Sequence, residues 1–231
     1  QALDDLINGD PQDHRAIIQT YQDALFRWCD LQLWPEYLQY VAEHYSPDQM
    51  IDEFERAISE IGISFDGHIV WELYHDYLQA NQLSEQAVKV LNRSKKVVNR
   101  RGEFTDKAMF EEHQYLLSFE DHLPDLPSHL AYARAELQRP TPNYPRIKYI
   151  YERAVMLYPN ELEVWVDYLR FAANSLKLPS IFSRALEIFP TNANLMTGHL
   201  RSLEKFNGPV DDISTLFVDY QSRKLDMHEQ V

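Results

Sequence analysis

The phrase Ile147, Ile150, Tyr151, Ala154, Val155, Tyr158 and Pro159 occurs again 31 positions on, as Leu178, Ile181, Phe182, Ala185, Leu186, Phe189 and Pro190. Glu152-Arg153 becomes Ser183-Arg184, while every apolar position keeps its character. A period of roughly 20 to 50 residues marks a stack of small units, none of which buries its apolar face alone. The 231 residues then hold about six units of about 31 to 37 residues each. A binding scaffold is the first functional expectation for such an array, and catalysis a distant second.

Each unit reads as two amphipathic helices. The first carries aromatic residues spaced Trp-x-x-Tyr-x-x-aromatic: Trp34, Tyr37, Tyr40; Trp71, Tyr74, Tyr77; Trp165, Tyr168, Phe171. Positions i, i+3, i+4 and i+7 share a helical face, so Trp34, Tyr37, Leu38 and Val41 form one stripe, and Trp165, Tyr168, Leu169 and Ala172 another. Burying each large ring is worth about 2 to 3 kcal/mol, which requires a neighbouring helix.

The second helix carries the repeated phrase, with weaker copies at Ile17, Thr20, Tyr21, Ala24, Leu25, Trp28 and at Met50, Phe54, Ala57, Ile58, Ile61. Ala87, Val90, Leu91, Ser94, Val98 keep the register less faithfully, and Ile213, Leu216, Phe217, Tyr220 end the series. Ala24, Ala57, Ala154 and Ala185 fall where a larger side chain would hold two helices apart.

Ser46-Pro47-Asp48-Gln49 predicts a helix start with a capping box, and Pro35, Pro179 and Pro209 suit first turns. Pro159-Asn160 and Pro190-Thr191 each close one helix and offer the cap of the next, making turns short enough to force antiparallel pairs. Six glycines and the lack of evenly spaced hairpin signals argue against an all-β chain. The expected fold is all-α: a single domain over 1–231, a right-handed α-solenoid of antiparallel helix pairs with about 12 helices. Only 99–142 breaks register. Phe110, His113 and Leu117 predict one helix there and Leu126 to Leu137 another, with no second-helix phrase between them. A bend or a shortened repeat is the reading.

Charge narrows the partners. The net charge is −14, split as four Lys/Arg against 17 Asp/Glu over 1–92, six against two over 93–107, and 12 against 17 over the remainder. That field repels nucleic acid, so any RNA contact must be local, and a basic protein is the better-steered partner. The basic stretch Arg93, Lys95, Lys96, Arg100 and Arg101 is the best candidate for a local functional surface. It reads first as a solvated helix end and second as a contact for RNA phosphate or an acidic partner. Under the second reading, reversing Lys95, Lys96, Arg100 and Arg101 abolishes binding without lowering the melting temperature.

The single Cys29 leaves no internal disulfide and suits a reducing cytosolic or nuclear setting. No apolar run approaches the ~18 residues of a spanning helix. The chain opens at Gln1 with neither an initiator methionine nor a signal peptide, so a fragment of a longer protein is expected.

Trp-x-x-Tyr in the first helix with aromatic-Glu-Arg-Ala-aliphatic in the second, as in Phe54-Glu55-Arg56-Ala57-Ile58 and Tyr151-Glu152-Arg153-Ala154-Val155, resembles the half-a-tetratricopeptide (HAT) repeat. Ordinary tetratricopeptide units place small residues where Trp34, Trp71 and Trp165 stand. The resemblance covers roughly 13–225 outside the irregular stretch. It implies a scaffold of RNA-processing complexes, acting in splicing, 3′-end cleavage or ribosome assembly.

Leu33-Trp34-Pro35-Glu36-Tyr37, followed by Phe54 to Gly62 and Val70-Trp71-Glu72-Leu73-Tyr74, resembles the splicing-factor family of the squamous cell carcinoma antigen recognised by T cells. That implies a nuclear protein assisting U4/U6 snRNP reassembly, with snRNP components and ubiquitin-specific proteases as partners. It also implies RNA contact mainly through domains downstream, and homodimerisation and protease docking mostly beyond Val231. Other HAT scaffolds, of the cleavage-stimulation complex or of the first small nuclear ribonucleoprotein, stand as alternatives, as does a direct RNA-binding module. Met196 and His199 depart from the pattern, standing where Trp and Tyr are expected.

No H-E-x-x-H, C-x-x-C, P-loop or G-x-S-x-G motif occurs. Glu111-Glu112-His113 and Asp121-His122 are the nearest clusters, and adjacent helical residues point about 100° apart, so they do not converge on one ion. No enzyme activity, cofactor or metal is expected, and Glu187 and Glu204 read as exposed helix charges.

Overall fold

The computed structural model describes residues 14–27, 31–102 and 105–229, with side chains described as far as residue 223. Trp28, Cys29 and Gln1 lie outside the described residues. Twelve helices and no strand occur among those described: α1 His14–Arg27, α2 Leu33–Ala42, α3 Pro47–Ile61, α4 His68–Ala80, α5 Ser84–Ser94, α6 Lys107–Glu120, α7 Leu126–Leu137, α8 Tyr144–Leu157, α9 Leu162–Phe171, α10 Leu178–Ile188, α11 Ala193–Lys205 and α12 Val210–Glu229. They fall into two compact units, residues 1–156 and 157–231. From α1 to α5 in the first unit and from α9 to α12 in the second, each helix packs on the next in sequence, which is the pairing of an α-solenoid.

Local chemistry fixes the helix starts. At α3 the Gln49 N–H donates to Ser46 Oγ and the Ser46 N–H donates to Gln49 Oε1 at 3.0 Å, a reciprocal cap with Pro47 in the first turn. Asp106, Asp125 and Asn192 cap α6, α7 and α11 with side-chain oxygens. Two expected caps are displaced by one residue: Glu161, not Asn160, stands at the start of α9 without a side-chain bond, and Asn192 rather than Thr191 caps α11.

The aromatic helices bury the i, i+3, i+4, i+7 stripe. Trp34, Tyr37, Leu38 and Val41 are buried on α2, Trp71, Tyr74 and Leu78 on α4, and Trp165, Tyr168, Leu169 and Ala172 at α9. The third aromatic, at i+6, lies about 120° round the helix from the tryptophan. Accordingly Tyr40, Tyr77 and Phe171 are only half-buried. On the second helices Phe54, Ala57, Tyr151, Ala154 and Ala185 are buried and Phe182 is half-buried.

Two contacts recur between these helices. An arginine of the second helix lies over the tryptophan of the first: Arg56 Cζ is 5.0 Å from the Trp34 ring centroid, Arg93 is 5.3 Å from Trp71 and Arg184 is 5.6 Å from Trp165. Arg184 is buried, so its contact is desolvated and contributes about 2 kcal/mol, whereas the half-exposed Arg56 and Arg93 contribute about 0.5 to 1 kcal/mol each. The indole N–H also donates to a carbonyl just behind it, Trp71 to Gly62 at 3.0 Å and Trp165 to Pro159 at 2.8 Å. The second contact is a ring stack onto the next aromatic helix, where Phe54 meets Tyr74 at 4.8 Å and 7°. Each tryptophan is therefore a joint between successive helices, more than a greasy anchor.

The stretch 99–142 holds α6 and α7, of 14 and 12 residues, and neither carries the second-helix phrase. The buried face of α6 is His113 and Leu116, turned from the expected Phe110, His113, Leu117 stripe, with Phe110 exposed. Phe119 of α6 stacks on Tyr132 of α7 at 4.7 Å and 9°, the same joint that Phe54 makes with Tyr74. On α7, His129 and Tyr132 occupy the i and i+3 places and are buried. Among the described residues no aromatic-ladder helix lies between α5 and α6, so the alternation loses one helix there.

Candidate interaction surface

The basic stretch begins in the last turn of α5, where cations face the helix C-terminus. Folding commits most of it. The Arg93 guanidinium donates two parallel hydrogen bonds to the Glu55 carboxylate of α3, at 2.6 and 2.9 Å. That contact holds the Glu55 carboxyl below its ordinary range. Burial, reinforced by the Glu55 charge, pushes the Tyr74 hydroxyl beside it up to about 12.

Arg100 Nε donates to Asp66 at 2.7 Å and its Nη1 to Asp121 at 2.9 Å, while its backbone N–H donates to the Phe65 carbonyl at 2.8 Å. Arg101 reaches Glu72 at 2.6 Å. Lys95 and Lys96 are exposed and, among the described residues, have no carboxylate within salt-bridge distance.

Three of the five cations therefore clamp the exit of α5 to α3, α4 and the end of α6. The expectation that reversing Arg100 and Arg101 would spare stability is corrected, because either reversal sets an anion against Asp66, Asp121 or Glu72. Only Lys95 and Lys96 remain as free charges. A hollow of about 460 Å³ beside them is lined by Trp71, Glu72 and Asp76 of α4 and by Leu91, Lys95 and Arg101, so its charges are of both signs.

A second polar cluster lies where the sequence pattern is irregular. Glu112 of α6 accepts from Arg139 at 2.5 and 2.8 Å and from Arg146 of α8 at 2.8 Å. Glu136 of α7, fully buried, meets the same two guanidiniums at 3.3 and 3.4 Å. Hydrogen bonding from Arg139, helped by Arg146, lowers the Glu112 pKa. Arg153 pairs with Glu120 at 2.8 Å.

These carboxylates are matched by cations in a part-buried network that ties α6, α7 and α8 together. The only foretaste in the sequence is the Glu136, Arg139 spacing of i, i+3. His113 packs on Phe65 at 5.4 Å. Among the described residues no three His, Cys, Asp or Glu side chains converge closely enough to hold a metal ion. Nor is any helix among them long and apolar enough to cross a membrane.

The two departures from the aromatic ladder also resolve. Met196 and His199 are buried on α11, and His199 lies 6.2 Å from the Phe182 ring with its Nδ1 2.6 Å from the Tyr220 hydroxyl. An imidazole thus takes the stacking place of a tyrosine ring and ties α11 to α12.

No curated protein matches the chain. Residues 8–104 match the family model described as PRP39 N-terminal HAT repeat. That span holds α1 to α5, with Trp34, Trp71 and the Phe54-Glu55-Arg56-Ala57 segment, while the copies at Tyr151 and Trp165 lie outside it, and the match supports a HAT-repeat family.

Proposed function

We propose that the chain is a non-catalytic protein-interaction scaffold of a nuclear pre-mRNA splicing factor that assists U4/U6 snRNP reassembly and recruits partner proteins, ubiquitin-specific proteases among them. The observation that carries this reading is the fate of the cations. Arg93, Arg100 and Arg101 are held by carboxylates of neighbouring helices, on a chain of net charge −14. A phosphate track needs unpaired cations in a row, whereas grooves between helices suit protein side chains. A second reading, a PRP39-type splicing factor, draws support from the description of the family that residues 8–104 match.

Capture from nuclear extract on the immobilised chain tests both. The expected result is retention of spliceosomal proteins together with U4 and U6 RNA, with retention of the proteins unchanged by ribonuclease treatment or by the Lys95→Glu/Lys96→Glu substitution. Retention of a different small nuclear RNA supports the second reading. Loss of all capture with ribonuclease, or with the two lysine reversals, would make the chain a direct RNA binder and overturn the proposal.

A further inference from the structure

The 157–231 unit carries a groove of about 430 Å³ between α9, α10 and α11. Its floor is apolar: Val166 and Leu169 from α9, Leu178 and Phe182 from α10. Gly198 completes it from α11. A Cβ built there would fall 2.5 Å from two carbons of the Phe182 ring, so the missing side chain is what lets the α11 backbone close on that ring. The lining spans Asn194 to Lys205 on α11, about 16 Å of helix, so the hollow is a trough that suits a length of chain better than a compact molecule.

The rim carries Arg170, Arg201 and Lys205, and no acidic residue lines the groove. The Arg170 side chain is 77% exposed and touches Asp167 at 3.2 Å. Lys205 Nζ donates to the Ala173 carbonyl at 2.8 Å and to Asn174 Oδ1 at 2.9 Å, both uncharged acceptors. Arg201 is exposed and, among the described residues, has no carboxylate within salt-bridge distance. A set of cations around an apolar floor is opposite in sign to the chain as a whole.

We propose that this trough binds an acidic peptide segment whose apolar side chain seats on Leu169, Leu178 and Phe182 while its carboxylates meet Arg170 and Arg201. The proposal rests on the protein-scaffold reading and supplies its partner chemistry. A nucleic acid fits less well, since single strands bind by stacking bases on open aromatic faces and the one ring in the lining lies half-buried under Gly198.

The test is fluorescence anisotropy of the whole chain with a labelled peptide of alternating Glu/Asp and Leu/Phe residues. A peptide with Lys in place of every acid and a labelled oligouridylate serve as comparisons. The expected result is saturable binding of the acidic peptide alone, weakened about tenfold by Arg170→Glu/Arg201→Glu, with amide NMR shifts confined to α9, α10 and α11. Absence of saturable binding, equal binding of the lysine peptide, preferential binding of the oligouridylate, indifference to the double reversal, or shifts centred elsewhere would each overturn the proposal. Spliceosomal capture that persists while the peptide fails would discard the groove and leave the scaffold reading standing.

Discussion

Replacing Trp165 with alanine lowers the stability of the 157–231 unit by about 3 to 5 kcal/mol, read as a loss of urea midpoint by circular dichroism. Three contributions set that size. The ring is fully buried, its N–H is satisfied by the Pro159 carbonyl at 2.8 Å, and the buried Arg184 guanidinium sits over its face. Truncation therefore opens a cavity, orphans a carbonyl and leaves a cation without its aromatic partner. Trp165→Phe isolates the last two, keeping most of the apolar area while removing the N–H and weakening the cation–π contact. It is expected to cost about 1 to 2 kcal/mol. If Trp165→Ala costs under about 1 kcal/mol, the indole is not a joint.

The second large effect concerns the buried charges of α6, α7 and α8. Arg146→Met leaves the fully buried Glu136 facing Arg139 alone at 3.3 Å and removes one of two guanidiniums from Glu112. Breaking a buried pair from one side costs about 3 to 5 kcal/mol, because a charge is left without compensation. The double variant Glu136→Leu/Arg146→Met removes both charges and is expected to recover most of that loss in the same urea titration.

The pH dependence has a definite sign. The folded Glu112 pKa is depressed below its ordinary 4.5, so its contribution is complete above that value and is lost as pH falls through the lower folded value. Stability of the wild-type chain should drop more steeply below about pH 4.5 than that of Glu112→Gln. Equal slopes would mean that Glu112 is not held ionised by Arg139 and Arg146.

The sequence made the regular units legible because their cores use residues that declare themselves by period. Trp and Tyr at i and i+3, with alanine at the close crossing, can be read without coordinates. Charged residues taking structural roles could not be read in that way. Arg56, Arg93 and Arg184 look like surface positions in any linear pattern, and only the fold places them over tryptophan rings.

For the same reason the basic stretch looked available. Glu55 and Asp66, its counter-charges, lie 38 and 34 residues away from Arg93 and Arg100. The stretch 99–142 was opaque because α6 and α7 are joined by a charged network and one Phe-Tyr stack, neither of which leaves a repeat. The trough was invisible for another reason: it exists only where residues of α9, α10 and α11, up to about forty positions apart in sequence, line one hollow.

Hydrogen exchange on the intact chain and on a chain ending at Thr191, without α11 and α12, bears most directly on the claim that each aromatic helix is sheltered by its neighbours in the stack. Removing α11 takes His199 and Gly198 away from the Phe182 ring, so α10 amides should lose protection strongly and α9 amides measurably, while α2 to α4 keep theirs. Unchanged protection of α9 and α10 would contradict that claim.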